Sequence, residues 1–449
     1  MTLPYGSGSV KARIPAGRLL FDGKMKDLAP VGNPREAIRR KLDNPTGCAA
    51  LRDLVSAGDK VLILIEDNTR NTPLKMMLPV LLDYLEGCGV ASKHIELLTA
   101  PGTHRVMTSQ EIVDKVGQVV VDRVKISQHD FRDKTQMVDL GVVEVGPSKI
   151  PVHVNRKALE ADFVIGTGNI VPHSDAGFSG GAKIVQPGIC GFATTAATHV
   201  AAALLDEIPL GVMDNPCRAG MEEVARRVGL AFIVNTVLNH RGEIVGVVAG
   251  DFVKAQREGA AIATEAYGVD VPEPADIVIV SSFPCDIDYW QAEKGLISAY
   301  FAVKKGGCII FVTPCPEGLE HNHPRLRDWL KLGYREACCL ARSTSPGDET
   351  NDLVAADLGI CNSRIREKAS VLLVSDGLTG EDSAVLGYTK VEDLQEAVDT
   401  ALRRVPGGTI GVLPMGGVCL PVLEGVGSRT SKDNRDNRIK SAAISKESS

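Results

Sequence analysis

Short apolar runs alternate with longer amphipathic stretches along the first part of the chain. The stretches between the runs show helical periodicity, whereas the runs themselves are rich in β-branched residues and predict strands. The predicted strands span residues 61–65, 94–99, 119–126, 161–165 and 231–237. Strands that alternate with helices are typical of an α/β fold built on a parallel sheet.

A second series of the same kind follows the proline-rich step at residues 271–274. Its predicted strands span residues 277–281, 308–313, 370–375 and 409–413, and its predicted helices lie around residues 291–303 and 391–405. We therefore expect two α/β domains, residues 1–270 and residues 271–427, with the active site in the cleft between them. Residues 428–449 are polar, charged and poor in large apolar side chains, which predicts a disordered tail.

Composition narrows the class of protein without naming a function. With 44% hydrophobic and 24% charged residues, the 449-residue chain has the make-up of a globular protein of more than one domain. Its net charge of −6 is spread along the chain, which argues against a nucleic-acid partner or a membrane surface. The start has no apolar targeting segment, so a cytoplasmic protein is expected. The eleven cysteines form no Cys-x-x-Cys pair and are interpreted as reduced thiols.

The first predicted strand is followed by a polar loop, residues 66–70, and by Pro73, which is placed to open a helix. Ligands bind beyond the carboxyl ends of strands in open α/β sheets, so we expect this loop and its equivalents to converge. Arg70 has the side chain that pairs with a carboxylate or a phosphate through two donors. The alternative is that Asp67 and Thr69 cap the helix and that Arg70 is a surface charge.

The second predicted strand leads into residues 101–105, and Thr108 and Glu111 then form a capping box that predicts a helix start. His104 lies just before that start, where the positive end of the helix dipole favours a neutral imidazole. A neutral imidazole accepts a proton at pH 7. The alternative is a solvated loop histidine.

The third loop, residues 166–183, is rich in glycine and ends in Lys183. Glycines such as Gly180 and Gly181 allow a backbone to approach a phosphate or a planar cofactor closely, with Lys183 at the edge of that site. The segment matches neither a P-loop nor a dinucleotide-binding fingerprint. Tight structural turns are the alternative. Elsewhere, His321 and His323 form the one close histidine pair, which we interpret as a solvated loop rather than a metal site.

Taken together, these residues resemble the lactate racemase family, whose members use a nickel-pincer nucleotide. The matching blocks occur in the family order: residues 67–70, 102–105, 172–183, His199 and residues 290–294. The block from Pro172-His173 to Gly-Phe-Ser-Gly-Gly-Ala-Lys183 is the most specific of them. The resemblance runs from about Val61 to Lys294 and extends toward Gly417.

The resemblance implies that the first domain binds the cofactor and carries the catalysis. The cofactor would be a pyridinium-3-thioamide-5-thiocarboxylic acid mononucleotide, covalently attached to Lys183 and carrying nickel, with His199 as the protein ligand of the metal. Soft sulfur donors with one imidazole suit nickel. Further cofactor-binding residues implied by the resemblance are Asp67, Thr69, Ser179, Gly180 and Gly181.

The implied activity is the racemisation or epimerisation of a 2-hydroxy acid by proton-coupled hydride transfer through a 2-keto acid. His104 and His173 would be the two proton acceptors, one for each face of the substrate. The residues that the resemblance implies for substrate binding are Arg70, Trp290, Gln291 and Lys294. The implied partners are the 2-hydroxy acid and the accessory proteins that make the cofactor, with no nucleic acid and no membrane.

Three positions depart from the pattern expected of the lactate-specific members. Ser174-Asp175 replaces a bulkier apolar step, Trp290 replaces a tyrosine, and Asn71 follows Arg70 where a proline is expected. A longer hydroxylated acid, such as a sugar acid, therefore competes with lactate as the substrate. Two other classes remain open: a non-catalytic cofactor-binding protein, and a zinc hydrolase using His173 and His199, for which the sequence offers no nearby carboxylate set.

Overall fold

A computed structural model describes residues 1–319 and 323–424, so the predicted tail at residues 428–449 lies outside the described residues. The described chain forms two six-stranded sheets with helices packed on them, which confirms the predicted α/β class. The two sheets give the fold its two halves, and the residues singled out above lie where these halves meet.

The strands of the described chain are named in chain order. They are β1 (Thr2–Tyr5), β2 (Gly8–Lys11), β3 (Leu19–Asp22), β4 (Val61–Ile65), β5 (Ile95–Thr99), β6 (Lys125–Gln128), β7 (Met137–Val145), β8 (Ser148–Asn155), β9 (Phe163–Asn169), β10 (Pro172–His173), β11 (Gly177–Phe178), β12 (Leu230–Leu238), β13 (Ile244–Gly250), β14 (Gly268–Val271), β15 (Ala275–Ser281), β16 (Val303–Val312), β17 (Ala369–Val374), β18 (Thr389–Lys390), β19 (Ile410–Leu413) and β20 (Leu420–Leu423).

The helices are named in the same way. They are α1 (Pro34–Asp43), α2 (Leu51–Leu54), α3 (Leu74–Gly87), α4 (Ser109–Val116), α5 (Gln118–Val121), α6 (Lys157–Glu160), α7 (Phe192–Ala203), α8 (Pro216–Val228), α9 (Lys254–Tyr267), α10 (Tyr289–Ala302), α11 (Leu326–Lys331), α12 (Tyr334–Ser343), α13 (Leu353–Lys368), α14 (Gly380–Leu386) and α15 (Leu394–Arg404). Among the described residues, no helix combines the length and the apolar character needed to cross a bilayer.

The first sheet has the strand order β13-β12-β9-β4-β5-β6. Only β13 runs antiparallel to its neighbour, and the other pairs are parallel. Every residue of β4 and β9 is buried, as expected for central strands that are covered by helices on both faces. Since the strand order reverses between β4 and β9, the loops that leave their carboxyl ends open a crevice there.

The second sheet has the order β18-β17-β16-β15-β19-β3, and its pairs are all parallel. Its last strand, β3, comes from the start of the chain and pairs with β19. Phe21 on β3 fills the space that Gly411 leaves open, because a Cβ on Gly411 would lie 2.1 Å from the Phe21 ring. The predicted domain boundary at residue 270 places β3 in the first domain, although β3 pairs with β19 in the second sheet. That boundary stays a prediction.

Most predicted elements are present within a few residues of their expected bounds, but the prediction of a strand over residues 119–126 was wrong in its first half. Gly117, with φ of +87°, ends α4 and begins the short helix α5, in which Val120 N–H bonds to Gly117. The strand β6 begins only at Lys125. An apolar run of this length fits either a strand or a helical turn, and the left-handed glycine decides in favour of the turn.

The two halves meet where α7 of the first packs against α13 of the second. Arg364 on α13 donates hydrogen bonds to the carbonyl oxygens of Ala203 and Leu205, at 3.1 and 2.8 Å, and so satisfies carbonyls at the end of α7. A continuous hydrophobic cluster includes Ile184 of the first half and Leu358 of the second. The buried contact fixes the position of α7 relative to α13.

We predict that Phe21→Ala lowers the free energy of unfolding by about 3 kcal/mol, since it empties a buried space between β3 and β19. Urea denaturation followed by circular dichroism measures the loss. Leu19→Ala, on the same strand but 49% exposed, is the matched control and should change the free energy by less than about 0.5 kcal/mol. Equal losses for the two variants would contradict the proposed packing of β3.

Candidate active site

A cleft between the two sheets brings together residues from both halves of the chain. The loops after β4, β5 and β9 converge on it, as the sequence predicted, and α10 and α13 close the opposite side. The cavity measures about 100 Å³. Its lining includes these residues predicted from the sequence: Asp67, Arg70, His104, His173, Ser179, Gly180, Lys183, His199, Trp290, Gln291 and Lys294.

The loop after β9 owes its shape to Arg218, which lies on α8 and is 1% exposed. Its guanidinium donates to the carbonyl oxygens of Ala176 at 3.2 Å, Gly180 at 3.1 Å and Phe178. Burial lowers the pKa of Arg218 to about 10, so the group stays charged at neutral pH. Buried carbonyls without partners are costly, and here one side chain satisfies three of them.

Gly180 and Gly181 adopt positive φ angles and pack closely against protein groups rather than leaving a cradle for a ligand. A Cβ on Gly180 would lie 2.7 Å from Ile170, and a Cβ on Gly181 would lie 2.7 Å from Gln256. Gly181 N–H donates to Asn235 Oδ1 at 2.9 Å, and Gly181 does not line the cavity. The role that the structure gives Gly181 is therefore tight packing, the alternative considered above, while Gly180 also lines the cleft.

Ser179 lines the cavity, but its hydroxyl forms hydrogen bonds within the loop. The hydroxyl donates to the carbonyl oxygen of Asn169 at 2.6 Å and accepts the N–H of Val171 at 2.9 Å. Together with Arg218, these bonds hold the segment that leads to Lys183 in one conformation.

Lys183 follows in a short 3₁₀ turn, Gly181–Ile184. Burial, followed by the positive charges of Arg70 and Lys294, lowers the pKa of Lys183 to about 7, against the attraction of Asp175. At neutral pH a large fraction of its amine is therefore uncharged. An uncharged amine is a nucleophile, and Lys183 can form an amide-type bond with an activated acyl group.

His199 lies on α7, one turn after Thr195. Its Nδ1–H donates to the carbonyl oxygen of Thr195 at 2.9 Å, which leaves the Nε2 lone pair free to bind a metal. Burial lowers the pKa of His199, so the ring is neutral at pH 7, as a metal ligand must be.

His104 is oriented by Asp67, whose Oδ2 lies 2.7 Å from Nδ1 of the ring. Thr69 donates its hydroxyl to the other oxygen of Asp67 at 2.6 Å. Burial alone would raise the pKa of Asp67. The charge and the hydrogen bond of His104, together with Arg70 and Thr69, instead hold this pKa below its ordinary value. The alternative in which Asp67 and Thr69 cap the following helix is wrong, because α3 begins at Leu74, directly after Pro73, without a side-chain cap.

An ionised Asp67 fixes the tautomer of His104. With Nδ1–H directed at the carboxylate, Nε2 carries the lone pair, and it lies 3.2 Å from the side-chain nitrogen of Gln291. A histidine held in this way by a carboxylate is arranged as a proton acceptor.

His173 is placed differently, on the short strand β10 that pairs with β11. Its Nδ1 accepts the backbone N–H of Asp175 at 3.1 Å, so in the neutral ring the hydrogen is on Nε2. Burial, then the charges of Lys183, Lys294 and Arg70, lower the pKa of His173 well below its ordinary value. The two histidines thus present opposite tautomers.

Gln291, in the first turn of α10, connects the two halves. Its oxygen accepts from Arg70 Nη1 at 3.2 Å and from Lys294 Nζ, while its nitrogen faces His104. Burial, then the charge of Arg70, lowers the pKa of Lys294 to about 8. In the part of the chain that the structure describes, neither cation forms an ion pair and both share this neutral oxygen. A bound carboxylate would be a stronger partner for both.

Trp290 forms one wall of the cleft and stacks on His323, with ring centroids 4.3 Å apart. His323 is buried and its Nδ1 lies 2.9 Å from Asp352 Oδ1. The interpretation of His323 as a solvated loop residue was therefore wrong, because its ring is buried against Trp290 and faces Asp352. His321 lies outside the described residues.

Three acidic residues of the cleft were not predicted as a group: Asp175, Glu293 and Asp357. Ligand atoms of Asp175, His199 and Asp357 lie within 4.8 Å of one another, so the statement that no carboxylate set accompanies His199 was wrong. The sequence could not reveal this set, because Asp357 is brought to His199 by the packing of α13 on α7.

Burial leaves two of these acids in unusual states. It raises the pKa of Glu293 well above its ordinary value, with a further contribution from the charge of Asp175. Burial and the charges of Asp175 and Glu293 likewise raise the pKa of Asp357. One oxygen of Glu293 is buried and has no hydrogen-bond partner among the described residues.

Comparison with known proteins gives matches to the lactate racemase family. A family model described as the lactate racemase N-terminal domain matches residues 5–208, and one described as the lactate racemase C-terminal domain matches residues 271–419. A lactate racemase of Thermoanaerobacterium thermosaccharolyticum is 31% identical over 423 residues, which cover 92% of this chain and 97% of that protein. A lactate racemase of Lactiplantibacillus plantarum is 32% identical over 415 residues, or 90% and 94% of the two chains.

Solved structures extend the similarity to three dimensions. The lactate racemase apoprotein from Thermoanaerobacterium thermosaccharolyticum aligns with a TM-score of 0.83 at 29% identity, covering 94% of this chain and 99% of that one. A protein from Thermotoga maritima aligns with a TM-score of 0.68 at 22% identity, covering 87% and 98%, which shows a shared fold.

We predict that Lys183 reacts with an amine-directed reagent at half its maximal rate near pH 7, because its neutral form appears about three pH units below that of an ordinary lysine. Trinitrobenzenesulfonate labelling at a series of pH values, read by peptide mass spectrometry, measures the profile. Removing a neighbouring positive charge in Arg70→Met should move the profile to higher pH. A native profile centred near pH 10 would contradict the buried environment described for Lys183.

Proposed function

Because this chain belongs to the lactate racemase family, we propose that it racemises or epimerises a 2-hydroxy acid with a nickel-pincer nucleotide held on Lys183. Its relatives are racemases, and the chain is accordingly an isomerase. The observation that carries the proposal is the placement in one cleft of a lysine with a pKa of about 7 beside three imidazoles, His104, His173 and His199.

The residues present fit the proposed cofactor. The neutral amine of Lys183 would suit a covalent thioamide link to the cofactor, and Nε2 of His199 would suit a ligand of the metal that the cofactor carries. Ser179 and Gly180 line the same cavity, and Thr69 contributes by holding Asp67 and Arg70. When bound, the cofactor supplies a reversible acceptor for the hydrogen at C2 of the substrate together with its electron pair.

The protein's own residues manage the substrate proton. As the C2 hydrogen leaves with its electron pair, the hydroxyl proton passes to Nε2 of His104 and the substrate becomes a 2-keto acid. Asp67 stabilises the resulting imidazolium through Nδ1–H. The hydrogen and its electron pair then return to C2, and a proton returns to the oxygen from His104 for the original configuration or from His173 for the inverted one. Atoms and electrons therefore balance, and no external oxidant is consumed.

His173 is the proposed proton donor at the other face through its Nε2–H. To accept a proton there in the reverse direction, the neutral ring must carry its hydrogen on Nδ1, directed at the Asp175 carboxylate 3.9 Å away in place of the backbone N–H. Its low pKa arises from burial and from three cations, of which Lys183 is the first. Conversion of the Lys183 amine to an amide removes that charge, and a substrate carboxylate offsets Arg70 and Lys294. Both changes raise the pKa of His173 toward the range in which it exchanges protons at neutral pH.

Arg70 and Lys294 are the proposed binding site for the substrate carboxylate. Both cations point at a shared amide oxygen of Gln291, and a carboxylate at this position replaces a neutral acceptor by a charged one. The substrate hydroxyl then takes the place of the Gln291 amide nitrogen at Nε2 of His104, and Trp290 closes the cleft beside it.

A second candidate function has one observation in its favour. Asp175, His199 and Asp357 form a set of two carboxylates and one imidazole that is able to bind zinc, as in a hydrolase. In that case the metal would bind without a nucleotide and Lys183 would carry no adduct. The experiment below separates the two candidates.

We predict that protein produced together with the cofactor-making accessory proteins carries a mass adduct on Lys183 and close to one nickel per chain. Protein produced without them should carry neither, because the chain offers imidazole and carboxylate ligands but no sulfur set of its own. Intact-mass spectrometry and elemental analysis give the two values. His199→Ala should lose nickel and keep the adduct, whereas His173→Ala should keep both.

Zinc without an adduct, in either preparation, would favour the hydrolase instead. Nickel lost from His173→Ala and kept in His199→Ala would mean that the base and the ligand have been exchanged in this assignment.

We predict that Asp67→Asn lowers kcat for exchange of the C2 configuration by about 10- to 100-fold, with a small change in KM, because the amide neither fixes the tautomer of His104 nor stabilises its imidazolium. Chiral chromatography of enantiopure 2-hydroxy acids measures the rate. Asp139→Asn, a change of the same kind at an exposed position of β7, is the control and should leave the rate unaltered. Similar losses for both variants would argue against the role of Asp67.

A further inference from the structure

One wall of the cleft is built from buried carboxyl groups to which the proposed function assigns no role. Asp175 is 9% exposed, Glu293 is 8% exposed and Asp357 is 6% exposed, and all three line the cavity. They come from three separate segments: the loop after β9, α10 and α13. The packing of the two halves is what collects them.

The hydrogen bonds made within the protein do not satisfy all the carboxyl oxygens of this wall. Ser174 donates its hydroxyl to Asp175 at 2.7 Å, and the thiol of Cys361 is 3.6 Å from Asp357. The Oε1 atom of Glu293 is buried with no partner among the described residues. Unpartnered buried oxygens are unfavourable, so a ligand that brings hydrogen-bond donors to this place is stabilised by them.

The charge distribution in the cleft selects the kind of donor. Arg70 and Lys294 lie on the cation side, together with Gln291, and Lys183 is close to both. A substrate amine would add a further positive charge to a cleft that already contains Arg70 and Lys294. Hydroxyl groups bring hydrogen-bond donors without charge.

Lactate fits this wall poorly. Beyond C2 it has only a methyl group, which would leave Oε1 of Glu293 without a partner while removing it from water. A methyl group is best placed against an apolar surface, whereas Asp175, Glu293 and Asp357 present three carboxyl groups to the cleft.

We propose that Asp175, Glu293 and Asp357 form a subsite for the hydroxyl groups beyond C2, so that the preferred substrate is a polyhydroxy acid rather than lactate. The inference rests on the proposed function, since it assumes that Arg70 and Lys294 hold the carboxylate end of the same molecule. The acid then spans the cleft, with its carboxylate at the cations and its C3 and later hydroxyls at the three acids.

The test uses the holoenzyme, produced with the accessory proteins, and compares lactate with glycerate and with aldonic acids of four to six carbons. We expect kcat/KM for at least one aldonic acid to exceed that for lactate by about 100-fold or more, because a site with buried polar groups discriminates strongly against an analogue that lacks their partners. A preference for lactate, or for an acid with a terminal amine, would overturn the proposal.

Variants of Glu293 and Asp357 test whether these side chains cause the preference for the aldonic acid over lactate. Glu293→Met and Asp357→Leu keep the side-chain size approximately and remove the acceptors, so each should lower the ratio of kcat/KM between the aldonic acid and lactate by about 10-fold or more. Glu293→Gln keeps hydrogen-bonding capacity and should restore most of the ratio. Glu258→Met, which removes a carboxylate on α9 that pairs with Lys41, is the matched control and should leave the ratio as in the native protein.

Two outcomes separate this inference from the proposed function. If no 2-hydroxy acid, lactate included, exchanges its C2 configuration, the proposed function fails. If lactate is racemised and the aldonic acids are not accepted, only the subsite fails. Loss of nickel from Asp357→Leu holoenzyme would also overturn the subsite, because Asp357 would then belong to the metal site with His199.

Discussion

The geometry of the cleft depends on the way in which one buried charge, Arg218, is accommodated. The segment from Ala176 to Gly180 is buried, and its only regular structure is the two-residue strand β11, so most of its carbonyl oxygens depend on other partners. Arg218 supplies three of the required donors from α8. Without them the segment would have to reach water or another partner, and His173 and Lys183, at its two ends, would lose their common orientation. The charge is itself tolerable because the carbonyl dipoles surround it.

The second determinant is the contact between the two halves. The first half contributes the imidazoles and the lysine, whereas the second contributes Gln291, Glu293 and Lys294 from the start of α10 and Asp357 from α13. Gln291 connects them at the level of single atoms, because it touches Arg70, His104 and Lys294 together. A change in the relative position of the halves therefore alters the surroundings of the proposed base, His104, and of the proposed carboxylate site at the same time. The geometry of the cleft and the packing of the two halves are not independent in this protein.

Much of this could be predicted from the sequence, for identifiable reasons. Central strands such as β4 and β9 are continuous apolar runs, and the polar residues that follow them, Asp67 to Arg70 among them, must emerge at one edge of a parallel sheet. Lys183, His173 and His199 could be predicted because motifs spread along the chain resemble the lactate racemase family. What the sequence could not supply were partners distant along the chain: Arg218 for the loop, Asp352 for His323, and Asp357 for His199. None of these pairs has a local spacing that reveals it, and each depends on how helices pack.

The strand β3 has a consequence for how the chain is divided. Because residues near the start complete the sheet formed by the second half, a fragment that begins at residue 271 would contain β19 with its outer edge bare. An uncovered edge of a parallel sheet exposes a row of unpaired amides and carbonyls and is a template for pairing with another chain. The same fragment would have an open groove where Phe21 covers Gly411. The start of the chain therefore belongs to the sheet of the second half. The segment matched at residues 271–419 lacks β3, and the segment matched at residues 5–208 lacks β12 and β13, so neither contains its complete sheet.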